Sequence, residues 1–410
     1  HQNRETMTRH TLALWRLSLL TAIHFTVDML SGTLPGFLPA LRQEYALSLV
    51  AGTVLLTLCS FSSNGIQLWA GTLRKAAKRP RLVQLGLLLS CAICFAGLAP
   101  QTGAFAFLVV LVLVLGTGVA FAHPEGLRGI CAIPEGSVTP AVATSLFMLA
   151  GFTGYATGPL IGGVLVEKFG FAGLYFLLIP VGLLLWLFHR ARVRLALDNA
   201  PEPHAAPAHR ASKPASAVPV SPLTFRELFL LAVLINAGCG IMQGLLPSYM
   251  EELGFTLSFG GFSGTLFGLG AGLGAFGTSF LIKRYRVLSC LKLEIAAGIP
   301  LLVLYLALAG SRWAACLAPL AGMLVGAGFP QLVVLARTAQ GSLALGARMG
   351  MIVGGSWGIA GIMLLLAGVA GKYFMLKTAM YLAPACFAAA LAMLFILGKR
   401  GGSRAVPVQR

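Results

Sequence analysis

Twelve apolar segments, each long enough to cross a lipid bilayer, follow one another along the 410 residues of the chain. A spanning helix needs about 20 apolar residues, and in lipid it must bond its backbone polar groups internally. The segments lie at about 12–40, 47–71, 82–100, 104–124, 138–165, 171–189, 225–250, 257–282, 287–309, 313–336, 347–370 and 374–398. The pattern predicts an all-α membrane protein with twelve transmembrane helices.

The composition excludes a soluble protein. Hydrophobic residues make up 57% of the chain and charged residues 10%, whereas soluble domains carry about 25% charged residues. The net charge of +18 would by itself fit a nucleic-acid partner. The basic residues, however, lie in short connections between apolar segments, as in membrane proteins, so we expect a lipid bilayer and no nucleic acid as partner.

The distribution of positive charge predicts the orientation in the membrane. With the N-terminus in the cytoplasm, all but five of the 30 Lys and Arg residues fall on the cytoplasmic side or near the inner helix ends. The exceptions are Arg42, Lys168, Arg312, Lys372 and Lys377. Because cytoplasmic connections carry the excess of Lys and Arg, we expect a multi-pass protein of the cell inner (cytoplasmic) membrane with both termini in the cytoplasm.

A polar stretch at 190–222 divides the chain into two parts. It begins with three arginines and becomes rich in Pro and Ala, which is typical of a flexible linker. We therefore predict an N-terminal six-helix bundle at 1–189 and a C-terminal six-helix bundle at 223–410. The two parts repeat each other, since Gly32-Thr-Leu-Pro35 ends the first segment and Gly244-Leu-Leu-Pro247 ends the seventh.

A second pair of motifs supports the repeat. The fourth segment contains Gly116-x-Gly118-x-x-Phe121-x-x-Pro124, and the tenth contains Gly326-x-Gly328-Phe329-Pro330 with shortened spacing. Two pseudo-symmetric six-helix bundles joined by a cytoplasmic loop resemble the transporters of the major facilitator superfamily. The resemblance implies a monomer that works by alternating access and binds a small molecule between the bundles at mid-membrane.

A glycine motif in the fifth segment resembles one branch of that superfamily. Its fixed positions match the antiporter motif of drug/proton antiporters: Gly154, Gly158, Pro159, Gly162 and Gly163. The resemblance implies a kinked, close-packed helix pair that seals the cavity on one side. The alternative is that these glycines serve helix packing alone.

Two polar motifs resemble the fosmidomycin-resistance branch of these antiporters. They are His24-Phe-Thr-Val-Asp28 in the first segment and Phe121-Ala-His123-Pro124-Glu125-Gly-Leu-Arg128 in the fourth. The likeness covers roughly the first five segments, whereas the second half supports the superfamily alone.

Four side chains are candidates for proton coupling: Asp28, His24, Glu125 and His123. An acid within a membrane span is a functional hypothesis by default, and His24 lies one turn before Asp28 on the same helix face. Burial favours the neutral form of an acid and a nearby positive group favours the charged form, so such a pair can bind and release a proton. The alternative is a structural hydrogen-bonded pair. His123 and Glu125 are expected where helix four meets the cytoplasm.

The connection after the second segment is a candidate gating loop. The superfamily signature there is Gly-x-Leu-x-Asp-Arg, and this chain has Gly71-Thr-Leu73-Arg74-Lys75. A lysine at the acidic position places the usual salt bridge of the inner gate in doubt. The alternative is an ordinary basic cytoplasmic loop.

Several polar side chains are candidates for substrate binding. Arg128 and Arg337 would give the inner vestibule a positive field that attracts an anion, or would serve only as cytoplasmic anchors. Amides and an aromatic complete the set: Asn64, Gln67, Asn236, Gln243 and Trp357. We prefer for the amides the interpretation that they bond neighbouring helices, and for the tryptophan that it packs in the bundle.

No sequence motif indicates nucleotide, metal or enzyme chemistry. The sequence contains no nucleotide-binding P-loop and no His/Cys/Asp cluster with ligand spacing, so no cofactor, metal or enzymatic activity is expected. We expect a secondary active transporter that exports small compounds, anionic or amphipathic ones included, in exchange for protons. The alternatives are proton-coupled uptake of an organic acid or sugar, and a membrane enzyme or receptor that lacks an obvious ligand domain.

Overall fold

A computed structural model describes residues 2–71, 73, 78–134, 138–195, 221–339 and 343–402. Within these residues twelve helices are long and apolar enough to cross a membrane. They are α1 (His10–Glu44), α2 (Leu49–Ala70), α3 (Arg81–Leu98), α4 (Ala104–Cys131), α5 (Val142–Phe169), α6 (Phe171–Ala191), α7 (Phe225–Glu252), α8 (Leu257–Leu281), α9 (Val287–Leu308), α10 (Arg312–Thr338), α11 (Ala347–Phe374) and α12 (Leu376–Leu397). The predicted fold class is confirmed.

Several spans depart from the simple α-helices expected from sequence, and three of them concern motifs or candidate residues. Helix α4 continues through Pro124 to Cys131, so the polar motif of the fourth segment lies within the helix and not at its end. Span α10 consists of the helical pieces Leu317–Val325 and Gly328–Thr338, which meet at the glycine motif. Span α11 contains a π-helical stretch at Met351–Gly355, and such bulges commonly mark functional positions.

The spans pack in a defined order around α1, α5 and α8. Helix α5 lies along α1 on one face and along α8 on another, while α2 lies along α11. Helix α7 is the most enclosed span: 72% of the residues in an 18-residue apolar stretch of it are buried. Helix α6 is the most open, with 28% of the corresponding residues buried. The contacts between the first six spans and the last six therefore run chiefly through the α5–α8 and α2–α11 pairs.

We call the two ends of the helix bundle the linker side and the far side. The linker side is the side where α6 ends and α7 begins, and the sequence predicts that it faces the cytoplasm. The far side is the opposite one, where α1 ends and α2 begins.

Candidate functional site

Three polar side chains meet inside the N-terminal spans. His24 Nε2 lies 3.3 Å from Asp28 Oδ2, and His123 Nε2 lies 3.0 Å from Asp28 Oδ1. The two imidazole rings meet edge to face with centroids 4.7 Å apart. Helix α1 supplies the first two residues one turn apart, and α4 supplies the third. We call His24, Asp28 and His123 the His–Asp–His cluster.

The proton arrangement of His24 follows from its second ring nitrogen. His24 Nδ1 lies 2.6 Å from the backbone carbonyl oxygen of Phe147. A carbonyl oxygen only accepts, so Nδ1 carries a hydrogen and donates it. In a neutral imidazole, Nε2 would then present a lone pair to a carboxylate oxygen of Asp28. A favourable contact requires one more proton, held by His24 or by Asp28.

Helix α5 closes over the cluster. The ring of Phe147 stacks on the ring of His24 with centroids 3.9 Å apart. One turn later, a Cβ placed on Gly151 would lie 2.5 Å from the His24 ring and 2.6 Å from Asp28 Oδ2. Only a residue without a side chain fits there. The electrostatic neighbours of Asp28 also include the hydroxyl of Tyr155 on α5, which itself interacts with Cys59 on α2.

The cluster also has the composition of a partial metal site. The ligand atoms of its three residues lie within 4.8 Å of one another, close enough to hold a metal ion. Three side chains are fewer than the four protein ligands of a structural zinc site but equal the number in many catalytic sites, and the contacts described above account for their positions without a metal. The expectation of no metal stays a prediction from sequence.

Glu125 lies near the cluster in sequence but binds elsewhere. Its Oε2 atom accepts hydrogen bonds from the backbone N–H groups of Leu82 at 2.6 Å and Val83 at 3.1 Å. These donors lie at the N-terminus of α3, where a negative charge is favourable. Glu125 therefore joins α4 to α3, and its role as a proton carrier stays a prediction.

The predicted substrate-binding side chains occupy different environments. Asn236 is buried and donates to Ser356 Oγ at 2.7 Å, which joins α7 to the end of the π-helical stretch of α11. Asn64 donates to the carbonyl oxygen of Ser60 in its own helix at 2.9 Å. Trp357 is partly buried and packs near Gly240 of α7. The others lie in half-buried or exposed positions: Gln67, Arg128, Gln243 and Arg337.

The predicted gating loop lies only partly within the described residues. The backbone N–H of Gly71 donates to Gln67 at 3.1 Å, and that of Leu73 donates to Ala70 at 3.1 Å, which continues the last turn of α2. Arg74 and Lys75 lie outside the described residues.

The glycine motif of α5 lies between two neighbouring helices. A Cβ on Gly158 would lie 2.6 Å from Gly32 Cα of α1, and a Cβ on Gly163 would lie 2.6 Å from the carbonyl oxygen of Leu257 at the start of α8. The backbone N–H of Leu160 donates to Thr265 Oγ1 of α8 at 3.2 Å. The motif thus brings α1, α5 and α8 into backbone contact and links the cluster to the boundary between the halves.

Charged side chains join the two halves on the far side. Glu167 Oε2, in the last turn of α5, accepts a hydrogen bond from the backbone N–H of Ser258 at 2.6 Å. The guanidinium of Arg42, near the end of α1, interacts electrostatically with Glu251 and Glu252 at the end of α7. These acids are not among the residues predicted from sequence, although a carboxylate at the end of a predicted span is a signal that the sequence shows.

Contacts between the halves on the linker side are of a different kind. Phe152 of α5 and Phe329 of α10 have ring centroids 5.8 Å apart, and Leu68 of α2 packs near Gly350 of α11. These are apolar contacts, whereas the far side has hydrogen bonds and opposite charges. The described residues therefore form the more polar closure on the far side.

Comparison with known proteins decides the family. A sequence model described as Major Facilitator Superfamily matches residues 20–340. The chain belongs to the Major Facilitator Superfamily. No curated protein sequence matches it.

Solved transporter structures share the fold of this superfamily member. A bacterial homologue of the human lysosomal transporter Spinster, solved inward-facing and unoccupied, is 15% identical with a TM-score of 0.70, covering 97% of this chain and 99% of that one. The nucleoside transporter NupG is 11% identical with a TM-score of 0.69, covering 94% and 99%. The peptide transporter POT in complex with sulfate is 14% identical with a TM-score of 0.66, covering 95% and 95%. Membership of the superfamily indicates a membrane transporter of small molecules and not an enzyme, and these structures share its fold.

Proposed function

We propose that this transporter exports small anionic or amphipathic compounds in exchange for protons, with the His–Asp–His cluster as the proton-binding site. The observation that carries the proposal is the position of Asp28. It lies midway along α1, and an imidazole ring contacts each of its two carboxylate oxygens. A charged acid at mid-membrane costs about 2.5–3.5 kcal/mol on insertion scales. The charge on Asp28 is therefore tied to the protonation of its two histidines.

The cluster supports coupling because it contacts α5, the helix that packs both on α1 of the first half and on α8 of the second half. His24 bonds to the Phe147 carbonyl of α5, and Gly151 of the same helix lies against His24 and Asp28. A change in protonation alters the charge beneath α5, and α5 in turn packs on α8 through the glycine motif. A ligand shifts a conformational equilibrium only through contacts that differ between the states, and this chain of contacts supplies such a difference for a proton.

Export is the direction supported by the likeness of the glycine motif to that of drug/proton antiporters. In the proposed orientation, with both termini and the 190–222 linker in the cytoplasm, the polar closure on the far side would be the outer gate of an inward-facing state. We propose that α1–α6 and α7–α12 move as two bundles in a monomer. Uptake of an organic acid or sugar with protons is the alternative, since the same fold serves either direction.

The experiment is a screen of compounds on proteoliposomes containing the purified protein and an interior pH dye. Exchange predicts that each transported compound and protons move in opposite directions, whereas symport predicts that they move together. Treatment with a metal chelator is the control for the three potential ligands of the cluster, and it should leave transport unchanged. Substrate movement that neither drives protons nor responds to a pH gradient would refute proton coupling.

Orientation is tested independently by cysteine labelling in intact cells, in a background without reactive native cysteines. Arg192→Cys lies at the linker side and Trp313→Cys on the far side, where the indole is 85% exposed. An impermeant reagent added outside should label only Trp313→Cys. Labelling of Arg192→Cys alone would reverse the orientation and with it the inward-facing assignment.

A further inference from the structure

A second intramembrane acid lies in the C-terminal spans, outside the His–Asp–His cluster. Glu294 lies on α9, seven residues after the helix begins on the linker side, which corresponds to a depth of about 10 Å. Its Oε1 atom accepts a hydrogen bond from Thr278 Oγ1 of α8 at 2.5 Å, and its Oε2 atom accepts one from Gln331 Nε2 of α10. All three side chains are buried, with exposed fractions of 8%, 2% and 0%.

Among the residues that the structure describes, no cation pairs with Glu294. Its hydrogen-bond partners are a neutral hydroxyl and a neutral amide. The ionisable neighbour on its own helix is the thiol of Cys290. Lys292, two residues away, places its ammonium over the ring of Phe395 of α12, 5.2 Å from the centroid. A buried carboxylate without a cation is costly, so this environment favours a bound proton.

The internal repeat places an amide in the C-terminal half where the N-terminal half has Glu125. Gln331 follows Pro330 in α10 as Glu125 follows Pro124 in α4. Glu125 accepts two backbone N–H groups at a helix N-terminus, which favours its ionised form. At the matching position the C-terminal half has an amide, and the acid is on the neighbouring helix, where the side chains of Thr278 and Gln331 donate to it. The two halves therefore hold their acids in different electrostatic environments.

The amide of Gln331 can serve Glu294 in either protonation state. Its Oε1 atom is buried and has no hydrogen-bond partner. When Glu294 is ionised, the carboxylate accepts from Gln331 Nε2, as in this structure. When it is protonated, half a turn of the amide brings Oε1 to accept the carboxylic O–H. A site that retains a hydrogen bond in both forms can bind and release a proton without leaving the carboxyl group unpaired.

We propose that Glu294, Thr278 and Gln331 form a second proton-binding site, which lies in the C-terminal half, nearer to the linker side than to the far side. Within the proposed function, on which this role rests, the site would add a second proton to the transport cycle or set which state the C-terminal half adopts. Its ligand is the proton itself, and its chemistry is the reversible protonation of one carboxylate.

Infrared spectroscopy of the purified protein in lipid vesicles tests the site without any substrate. A protonated carboxyl group has a C=O stretch that a carboxylate lacks. We expect a protonated-acid band at neutral pH that disappears in Glu294→Gln but persists in Glu125→Gln and in Glu44→Gln, an exposed acid at the end of α1. In Thr278→Val, which removes one donor to the ionised form, the band should persist to higher pH than in the wild type.

Two results would overturn the proposal. One is a Glu294→Gln spectrum that matches the wild-type spectrum throughout a titration from acidic to alkaline pH. The other is an unchanged titration in Thr278→Val, which also covers the case in which Glu294→Gln fails to fold. The transport arm compares protons moved per substrate, and Glu294→Gln should move fewer. If the wild type moves no protons, the proposed function fails, while the infrared band still decides whether Glu294 binds one.

Discussion

Glu167 of α5 accepts a hydrogen bond from the backbone N–H of Ser258, the second residue of α8, at 2.6 Å. The carboxylate thus caps the N-terminus of a helix from the other half of the chain, next to the ordinary cap in which Thr256 Oγ1 accepts the N–H of Phe259 at 3.2 Å. A negative charge at a helix N-terminus contributes about 0.3–1 kcal/mol. The contact therefore favours the arrangement in which α5 and α8 meet on the far side.

Replacing Glu167 with glutamine should weaken this closure. The amide keeps the size of the side chain but loses the charge, so the closed population relative to the open one should fall roughly two- to fivefold, the equivalent of about 0.3–1 kcal/mol. Pulsed electron paramagnetic resonance between spin labels at Lys168→Cys and Leu253→Cys would report longer distances. The control is Glu44→Gln, an exposed far-side acid, which should leave the distances unchanged. If the wild type, Glu167→Gln and Glu44→Gln all give the same distance distribution, Glu167 does not stabilise the closure.

Asp28→Asn should abolish pH-driven accumulation of substrate. The amide is fixed in a neutral form yet can still bond to His123, so the fold and the exchange of substrate down its gradient should survive. One pH unit supplies about 1.36 kcal/mol for each coupled proton, so loss of one proton costs about tenfold in accumulation per unit of gradient. Uptake into everted vesicles with and without a gradient measures this. If the variant accumulates substrate as well as the wild type, Asp28 is not the coupling site and Glu125 is the next candidate.

Gly151→Ala should disturb the same cluster from the side of α5. The new Cβ would lie 2.5 Å from the His24 ring and 2.6 Å from Asp28 Oδ2, so the ring must move or α5 must shift. Overpacking of this kind costs about 1–3 kcal/mol. We expect a lower melting temperature and a shifted pH profile of transport.

The matched control for Gly151→Ala is Gly182→Ala in α6. A Cβ at Gly182 meets no atom within 4 Å, and alanine is favoured over glycine in a helix by about 1 kcal/mol. This variant should therefore melt at the same temperature or higher and keep the wild-type pH profile. If both variants behave alike, the contact of α5 with the cluster has no role in coupling.

The fold was predictable because span length and charge bias are local properties of the sequence. The fourth span illustrates the limit of this approach: its apolar segment ended at Pro124, but α4 continues to Cys131. A proline removes one donor and disfavours the helical conformation of the residue before it. Neighbouring packing can compensate for that cost. Glu125, which follows it, bonds to the first residues of α3 and so helps to hold the continued helix in place.

The site was predictable only in part. The spacing of His24 and Asp28 placed them on one helix face, and the structure brings them together. The approach of His123 to Asp28 depends on how α4 lies against α1, and 95 residues separate the two in sequence. Such a contact has no local signal. Glu294 did have one, an acid within the apolar ninth segment, but the partners Thr278 and Gln331 come from other helices and emerge only from packing.

Large side chains in the glycine motif of α5 should disrupt the packing of α5 against α1. A Cβ on Gly158 would lie 2.6 Å from Gly32 Cα, and one on Gly162 would lie 2.6 Å from the carbonyl oxygen of Thr33. Leucine at either position forces α1 and α5 apart, at about 1–3 kcal/mol or more. We expect lost transport or a proton leak while the protein still reaches the membrane.

Gly272→Leu is the matched control, because Gly272 of α8 has no atom within 4 Å of an added Cβ. It introduces the same side chain into a glycine-rich span without a neighbouring backbone, so transport should stay close to that of the wild type. Proteoliposomes report both readouts, substrate flux and the decay of an imposed pH gradient. Loss of function in Gly158→Leu and Gly162→Leu but not in Gly272→Leu would assign it to the α1–α5 contact. Normal flux and a tight membrane in the first two would exclude that contact from the transport mechanism, because separating the helices would then have no consequence for either process.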